Sequence, residues 1–404
     1  MMQHPTHRSA AILSLLLLLG AQSTQSTTKK SADWRFGILG KQVVETVEDN
    51  FYDADVARRW ADRHRGYAAD AGDRASFVRL TRAALAELKV SHLAYWTPDD
   101  PQYWAMLGIF GEVIPHATTK YEGIGIDVSD DGFVRVVFGG SPAAAAKLKR
   151  GDRILLADGE PFHPVKSFRG KVDADVLLTV QRRAGAEPIR LDVRPRLIDA
   201  GREWLEHQEL YSRVMRRNGK QIAYVPMFCG AGEHYESALR RALADELKDA
   251  DALVLDFRYG WGGLSPEFVD LFHERRPVMM RVHRDGQQQV MDRPWTKPVY
   301  ILTAPGTRSG KEIVCYALQK HRRATLVGEP TAGAVLGGRP FLMRDGAVLL
   351  VPVEDVRCDG QRLEGHPIRP DVEVKDVVEF ADGADPVLEA ALKLASEAPA
   401  KKPQ

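Results

Sequence analysis

"PVYILTAPGTRSGKEIVCYALQKHRRATLVGEPTAGA", residues Pro298–Ala334, decides the fold. Val299 to Ala304 is a short apolar run, and a Pro-Gly pair breaks it, as expected for a buried strand. Ser309 opens a helical pattern that runs to His321, with Glu312 three residues on. The apolar "ATLVGEP" follows as a second strand. Strand, helix and strand in this order predict a crossover unit with parallel strands. The S-x-x-E spacing also marks a capping box, in which Ser309 closes the helix start.

The same alternation extends outward from Gln208 to Val374. "KQIAYVPM" and "ADALVLDFR" read as strands, "EHYESALRRALADELKD" and "SPEFVDLFHE" as helices, and "GAVLLVPVEDVR" as a further β segment. An α/β layer with a largely parallel sheet is expected over 200–378. In such sheets, sites gather in the loops beyond the carboxyl ends of the strands. "DFRYGWGG" (Asp256–Gly263), "GTRSGKE" (Gly306–Glu312) and "GEPTAGA" (Gly328–Ala334) fall there. Residues 379–404 read as a C-terminal helix and a disordered tail.

Upstream the period changes. From Tyr121 it is two: "YEGIGIDVSDDGFVRVVFGG" gives short strands around an Asp-Asp-Gly turn, and "SPAAAAKLKRGDRILLADGEPF" a short helix and another strand. "ADVLLTVQRRAGAEPIRLDV" adds two more, so 119–196 predicts a compact, partly open barrel. From Trp34 to about 115 the spacing is helical, with Phe77, Leu80, Ala84 and Leu88 on one stripe. A small helical domain is expected there.

The 404 residues carry 44% hydrophobic and 27% charged side chains, an ordinary globular composition that predicts two or three domains. The net charge of +1 gives no field that favours nucleic acid. The apolar run Ala10–Leu19 is short for a membrane span, so 1–22 reads as a signal peptide, with a retained anchor as the alternative. Either exports the chain, to a periplasm, a cell envelope or the medium, and no stable span is expected in the mature protein. Three cysteines (Cys229, Cys315 and Cys358) match no metal spacing. One disulfide is open in an oxidising compartment, and buried small hydrophobes fit Cys229 and Cys315 better. The sequence offers no H-E-x-x-H and no Walker or dinucleotide loop, so no metal or cofactor is expected.

Two family resemblances follow from these motifs. "GSPAAAAKLKRGDRIL" and "GIGI" (Gly123, Ile124, Gly125, Ile126) resemble a PDZ domain, which implies strand-wise binding of a peptide C-terminus, its carboxylate held by that loop. The three strand-end segments, in their order and spacing, resemble the S41 peptidases: the C-terminal processing proteases and the tricorn-like branch. The resemblance covers about Val44 to Val374. It implies a multidomain α/β protein with a helical domain, a PDZ-like β-barrel domain and a catalytic core of the ClpP/crotonase-like type.

The resemblance also assigns roles. Ser309 stands at the nucleophile position, and Gly310 with Gly262 at the oxyanion donors. Asp256 and Arg258 brace the loop, and Gly260 replaces the family's asparagine. The lysine base that follows "GEPT-x-G" in the C-terminal processing proteases is Ala334 here. Lys311 is expected to be a solvated charge. The tricorn-like branch instead uses a Ser-His pair, matched by Ser91 and His92 in "LAELKVSHLAYW", with Glu364 in "RLEGHPIRPDVEV" as the acid. His366 is the rival base, and Pro367 departs from the family pattern. The implied function is an exported serine endopeptidase that takes polypeptide substrates near their C-terminus. The alternatives are a catalytically inactive peptide- or ligand-binding protein and an esterase or other acyl transferase on the same serine chemistry. The sequence leaves an oligomer open.

Overall fold

The computed structural model describes residues 23–111, 114, 118–273 and 278–398. The expected signal peptide and the last residues of the tail lie outside these. The chain divides into two units.

Of the described residues, the first unit holds 23–49, 53–88 and 343–345. Its helices are Ser23–Asn50, Ala54–His64 and Arg74–Ala86. Asp53 and Asp73 cap the second and third, each accepting an amide of the first turn. The buried face of the third helix is Phe77, Thr81, Ala84 and Leu85. Thr81 rather than Leu80 is fully inside, because its hydroxyl meets the Tyr67 phenol at 2.7 Å.

The second unit holds everything else. The expected helical domain over 34–115 is therefore too long. Its last part contains a strand, Ala94–Trp96, which pairs antiparallel with Val348–Asp355, and the helix Pro101–Phe110. Both belong to the second unit.

A six-stranded sheet organises that unit, in the order Arg213–Arg217, Lys220–Pro226, Ala252–Asp256, Val299–Thr303, Thr325–Gly328, Val372–Glu373. The first pair is antiparallel and the rest are parallel. Alternate side chains enter opposite faces. Leu253, Leu255 and Ile301 join Val314, Cys315 and Leu318 of the helix Gly310–Lys320. Val254, Tyr300 and Leu302 join Val387, Ala391 and Leu392 of the helix Pro386–Glu397. The C-terminal helix thus covers one face of the sheet. Each such buried aliphatic stabilises by about 1.5–3 kcal/mol. Val348–Asp355 lies outside this sheet, between Ala94–Trp96 and Leu336–Leu342. "SPEFVDLFHE" forms only a 3₁₀-helix, Pro266–Phe272.

Residues 120–199 form short antiparallel strands around their own core, which includes Ile124, Val134, Phe168, Leu178 and Val180. Ile126–Val128 and Val134–Val137 pair across the Asp-Asp-Gly turn. Arg150 reaches from this region to the Tyr259 phenol at 2.8 Å. All three cysteines are free, with Cys229 and Cys315 buried. Among the described residues no helix is long and apolar enough to cross a membrane.

Below the carboxyl end of Ala252–Asp256 sits a buried charge cluster. Arg258 donates to Asp256 at 2.6 and 2.9 Å and to Asp385 at 2.7 and 2.8 Å. Both Asp256 and Arg258 are almost fully enclosed. Removing one partner of a buried pair leaves the other charge uncompensated. Arg258→Met is therefore expected to destabilise this unit by about 3–5 kcal/mol in urea denaturation, and Asp256→Asn by less, because Arg258 keeps Asp385.

Candidate active site

Three neighbouring parallel strands end on one side of the sheet, so the loops after Asp256, Thr303 and Gly328 meet there. Thr307 fastens them together. Its hydroxyl donates to the Phe257 carbonyl at 3.0 Å and accepts the Ala304 amide at 3.0 Å, and its carbonyl accepts the Ala332 amide at 2.9 Å.

Ser309 is the N-cap residue of the helix Gly310–Lys320, with φ 57° and ψ −130°. A serine held at such a positive φ is strained by about 1–3 kcal/mol, and the surrounding bonds must impose it. They are its amide to the Ala334 carbonyl at 2.9 Å and the Glu312 carboxylate reaching back to the same amide at 3.3 Å. A sharp strand-to-helix turn of this kind presents a serine hydroxyl at the edge of a sheet.

Gly262 and Gly310 flank the serine. A β-carbon on Gly262 would lie 2.5 Å from the Ser309 β-carbon and 3.0 Å from the Gly310 nitrogen, so only glycine fits. Among the described residues neither amide has a hydrogen-bond acceptor. Two free amides beside a hydroxyl, one of them at a helix start, suit a developing oxyanion. Gly260, at φ 80°, sits where a β-carbon would lie 2.0 Å from the Phe228 carbonyl oxygen, so a side chain has no room there.

Ser91 and His92 follow the helical leader and precede the strand Ala94–Trp96. The Ser91 hydroxyl lies 2.7 Å from His92 Nδ1 and donates to Glu364 Oε2 at 2.8 Å. Glu364 Oε1 accepts the Ser91 amide at 2.8 Å, and Glu364 Oε2 the Val335 amide at 2.8 Å. Because Ser91 gives its proton to the carboxylate, it accepts from Nδ1–H, and Nε2 carries the lone pair. Gly338 packs under the ring, its would-be β-carbon 3.1 Å from His92 Cδ2. No hydrogen bond joins His92 to Ser309. Glu364 hangs from Val335, and Ser309 from Ala334, so adjacent residues carry both halves of the arrangement.

Burial pushes the His92 imidazole down to about 4, the nearby Arg308 charge adds to this, and Glu364 opposes it. The ring is thus neutral near pH 7. His366, the rival base, is exposed and its Nδ1 meets the carbonyl of Glu364 at 2.9 Å. It takes no part in this chain of bonds.

Lys311 corrects an expectation. It is fully buried, not solvated, and donates to the carbonyls of Tyr259 at 2.7 Å and Phe228 at 3.2 Å. Burial lowers it to about 8. It thereby holds the loop that carries Gly262. Its spacing from Val314, Cys315 and Leu318 places it on the inward face of the helix, a signal already present in the sequence. Thr307 and Arg308 carried no comparable signal.

Residues 221–374 match the family described as Peptidase family S41. The chain is 29% identical over 227 residues to the carboxyl-terminal-processing protease of Picosynechococcus sp. (strain ATCC 27264 / PCC 7002 / PR-6), covering 53% of each. It is 24% identical over 284 residues to the carboxy-terminal processing protease CtpB of Bacillus subtilis (strain 168), covering 66% of this chain and 58% of that one. The chain spans little more than half the length of these curated relatives. Among solved structures, the tricorn protease aligns over 90% of this chain and 37% of its own, at TM-score 0.56 and 18% identity. The photosystem II D1 C-terminal processing protease aligns over 84% and 93%, at TM-score 0.50 and 20% identity. These likenesses concern the fold.

The electrostatics of His92 can be checked directly. In NMR titration of the ring C–H signals, His92 is expected to titrate near 4. Arg308→Gln should raise that midpoint, because a cation that opposes protonation is gone. Glu364→Gln should lower it, because an anion that favours protonation is gone.

Proposed function

We propose that this chain, a member of peptidase family S41, is an exported serine endopeptidase that hydrolyses polypeptides near their C-terminus. The observation that carries the reading is the hydrogen-bonded series Glu364–Ser91–His92, tied to the loop that also fixes the strained Ser309.

In this reading Ser309 Oγ attacks the scissile carbonyl while His92 Nε2 takes its proton. Ser91 and Glu364 hold Nδ1–H and stabilise the imidazolium that forms. The amides of Gly262 and Gly310 receive the oxyanion. As the C–N bond breaks, His92 returns the proton to the leaving amine, leaving an acyl-enzyme. Water then attacks with His92 again as base, and Ser309 recovers its proton. His92 and Ser309 come within hydrogen-bond reach as the substrate binds, since catalytic contacts are often long in an unliganded site.

Residues 119–196 serve as the PDZ-like domain that recruits the substrate's C-terminus. In support, a cavity of about 560 Å³ is lined by Ile124, Gly125, Ile126, Phe162 and His163. Ile126–Val128 borders it and, among the described residues, pairs on one edge only, which leaves the other edge for an extended peptide to add as a strand. Export rests on the apolar run Ala10–Leu19.

Wild-type protein is expected to cleave an unfolded polypeptide and to react with a fluorophosphonate at Ser309; Ser309→Ala should do neither. Loss of the base in His92→Ala should cost at least about 10²–10⁴ in kcat/KM. Gly262→Ala should cost about 10²–10³ in kcat by displacing an oxyanion donor. Full activity in His92→Ala would remove the histidine from the mechanism. Wild-type protein that neither cleaves nor labels would instead be a binding protein on this fold.

The pH profile follows from the same ring. The base must be neutral, so kcat/KM should rise with pH through about 4 and hold level towards neutrality. A midpoint at an ordinary histidine value, near 6.5, would show that burial and Arg308 do not depress this ring.

A further inference from the structure

Arg308 directly precedes the nucleophile; Glu312 and Glu364 lie close enough to favour its charge, but neither accepts a hydrogen bond from it. Its guanidinium carbon lies 5.7 Å from the centre of the Trp261 indole, and Trp261 in turn meets Trp96 edge-on at 5.8 Å. Its Nε is buried and has no hydrogen-bond partner. A buried donor without an acceptor is rare and calls for a missing partner.

The nearby carboxylates are already occupied. Glu312 accepts from Thr331, Gly333, Ala334 and Ser309. Glu364 accepts from Ser91 and Val335. Other arginines of this unit behave differently: Arg258, Arg135 and Arg182 each fork onto an aspartate. The Trp261 indole also lies within cation–π range of the guanidinium and helps to exclude water from it. What remains is a partly desolvated cation, next to Ser309 in the chain, with no carboxylate hydrogen-bonded to it.

We propose that Arg308 is a specificity residue that receives a substrate carboxylate next to the scissile bond, through a forked pair of hydrogen bonds. The carboxylate comes from an acidic side chain at that point or from the chain terminus just beyond it. Both present the same planar group, which is the shape the guanidinium fork matches. The inference rests on Ser309 being the nucleophile of peptide hydrolysis.

The test uses the full chain carrying Ser309→Ala, with binding read by fluorescence anisotropy. The probes are short labelled peptides with a single carboxylate, placed as a central glutamate side chain or as the free C-terminus. Each is paired with its glutamine or amidated counterpart. At least one carboxylate peptide should bind about tenfold tighter than its neutral pair, the scale of one charge-assisted hydrogen bond. That ratio should fall to about one in Ser309→Ala/Arg308→Gln, and Arg308→Lys should restore part of it. Preference in the central arm identifies an acidic side chain as the ligand, and preference in the terminal arm a chain end.

Equal affinities within both pairs would overturn the proposal. So would a preference that survives Arg308→Gln, since the PDZ-like region would then be its source. If the Gln double variant does not fold, Ser309→Ala/Arg308→Lys takes its place, with the ratio expected to fall. Failure of wild type to hydrolyse any peptide would remove the peptidase reading, while the binding ratio in Ser309→Ala would still decide whether Arg308 holds a carboxylate.

Discussion

The Glu312 carboxylate is buried under the loop that follows Thr325–Gly328 and collects donors from both sides of it. It accepts the Thr331 hydroxyl at 2.5 Å and the amides of Gly333 and Ala334 at 2.7 Å each. It also reaches the Ser309 amide at 3.3 Å. Burial raises its pKa, and these four donors pull the other way. The consequence is geometric. The start of the helix Gly310–Lys320 and the loop 329–335 cannot move independently, and Ser309 is pinned between them in a conformation it would not choose alone. Through Val335 the same loop grips Glu364, and through Glu364 it grips Ser91 and His92. One carboxylate thus sets the position of Ser309 and, through the loop, of Glu364, Ser91 and His92.

This arrangement explains how the site accommodates Ala334. A lysine there would come from the loop itself, beside Ser309. With a methyl group instead, the loop contributes only backbone: the Ala334 carbonyl to Ser309 and the Val335 amide to Glu364. In the proposed reading the proton acceptor comes instead from another part of the chain, the segment before Ala94–Trp96 that carries His92. That strand is held by Val348–Asp355, with Ala94 opposite Leu350, so the histidine is placed by sheet register. Gly338 allows the adjacent backbone to pass close beneath the ring.

What the sequence made legible was periodic or local. The strands Ala252–Asp256 and Val299–Thr303 are unbroken apolar runs, and the helix between Ser309 and Lys320 has its cap signal and its stripe. Their parallel pairing places the three strand-end loops together without further information. The Ser91–His92 pair and Glu364 were legible only through motif resemblance, since 273 positions separate Ser91 from Glu364 and no spacing rule spans that. The burial of Lys311 was legible in principle from its face but was overruled by its charge. Two carbonyl acceptors satisfy its ammonium, and both come from distant loops. The strand Ala94–Trp96 was missed because three residues are too few to show a period, and its pairing with Val348–Asp355 is tertiary.

Arg308 and His92 stand in electrostatic conflict. Burial alone makes His92 a weak base, and the adjacent guanidinium weakens it further. A resting site built this way keeps the imidazole neutral across a wide range of pH but gives it little drive to accept a proton. A carboxylate seated on Arg308 would change the balance, because it cancels the cation that opposes the imidazolium. The proton transfer from Ser309 would then become easier only when such a ligand is in place. Binding and base strength would share one interaction, and a neutral peptide would meet a weaker base than an acidic one. Burial of Arg308 itself, which lowers its pKa, sharpens the effect: a charge with little water around it acts strongly on its neighbours and gains most from a partner.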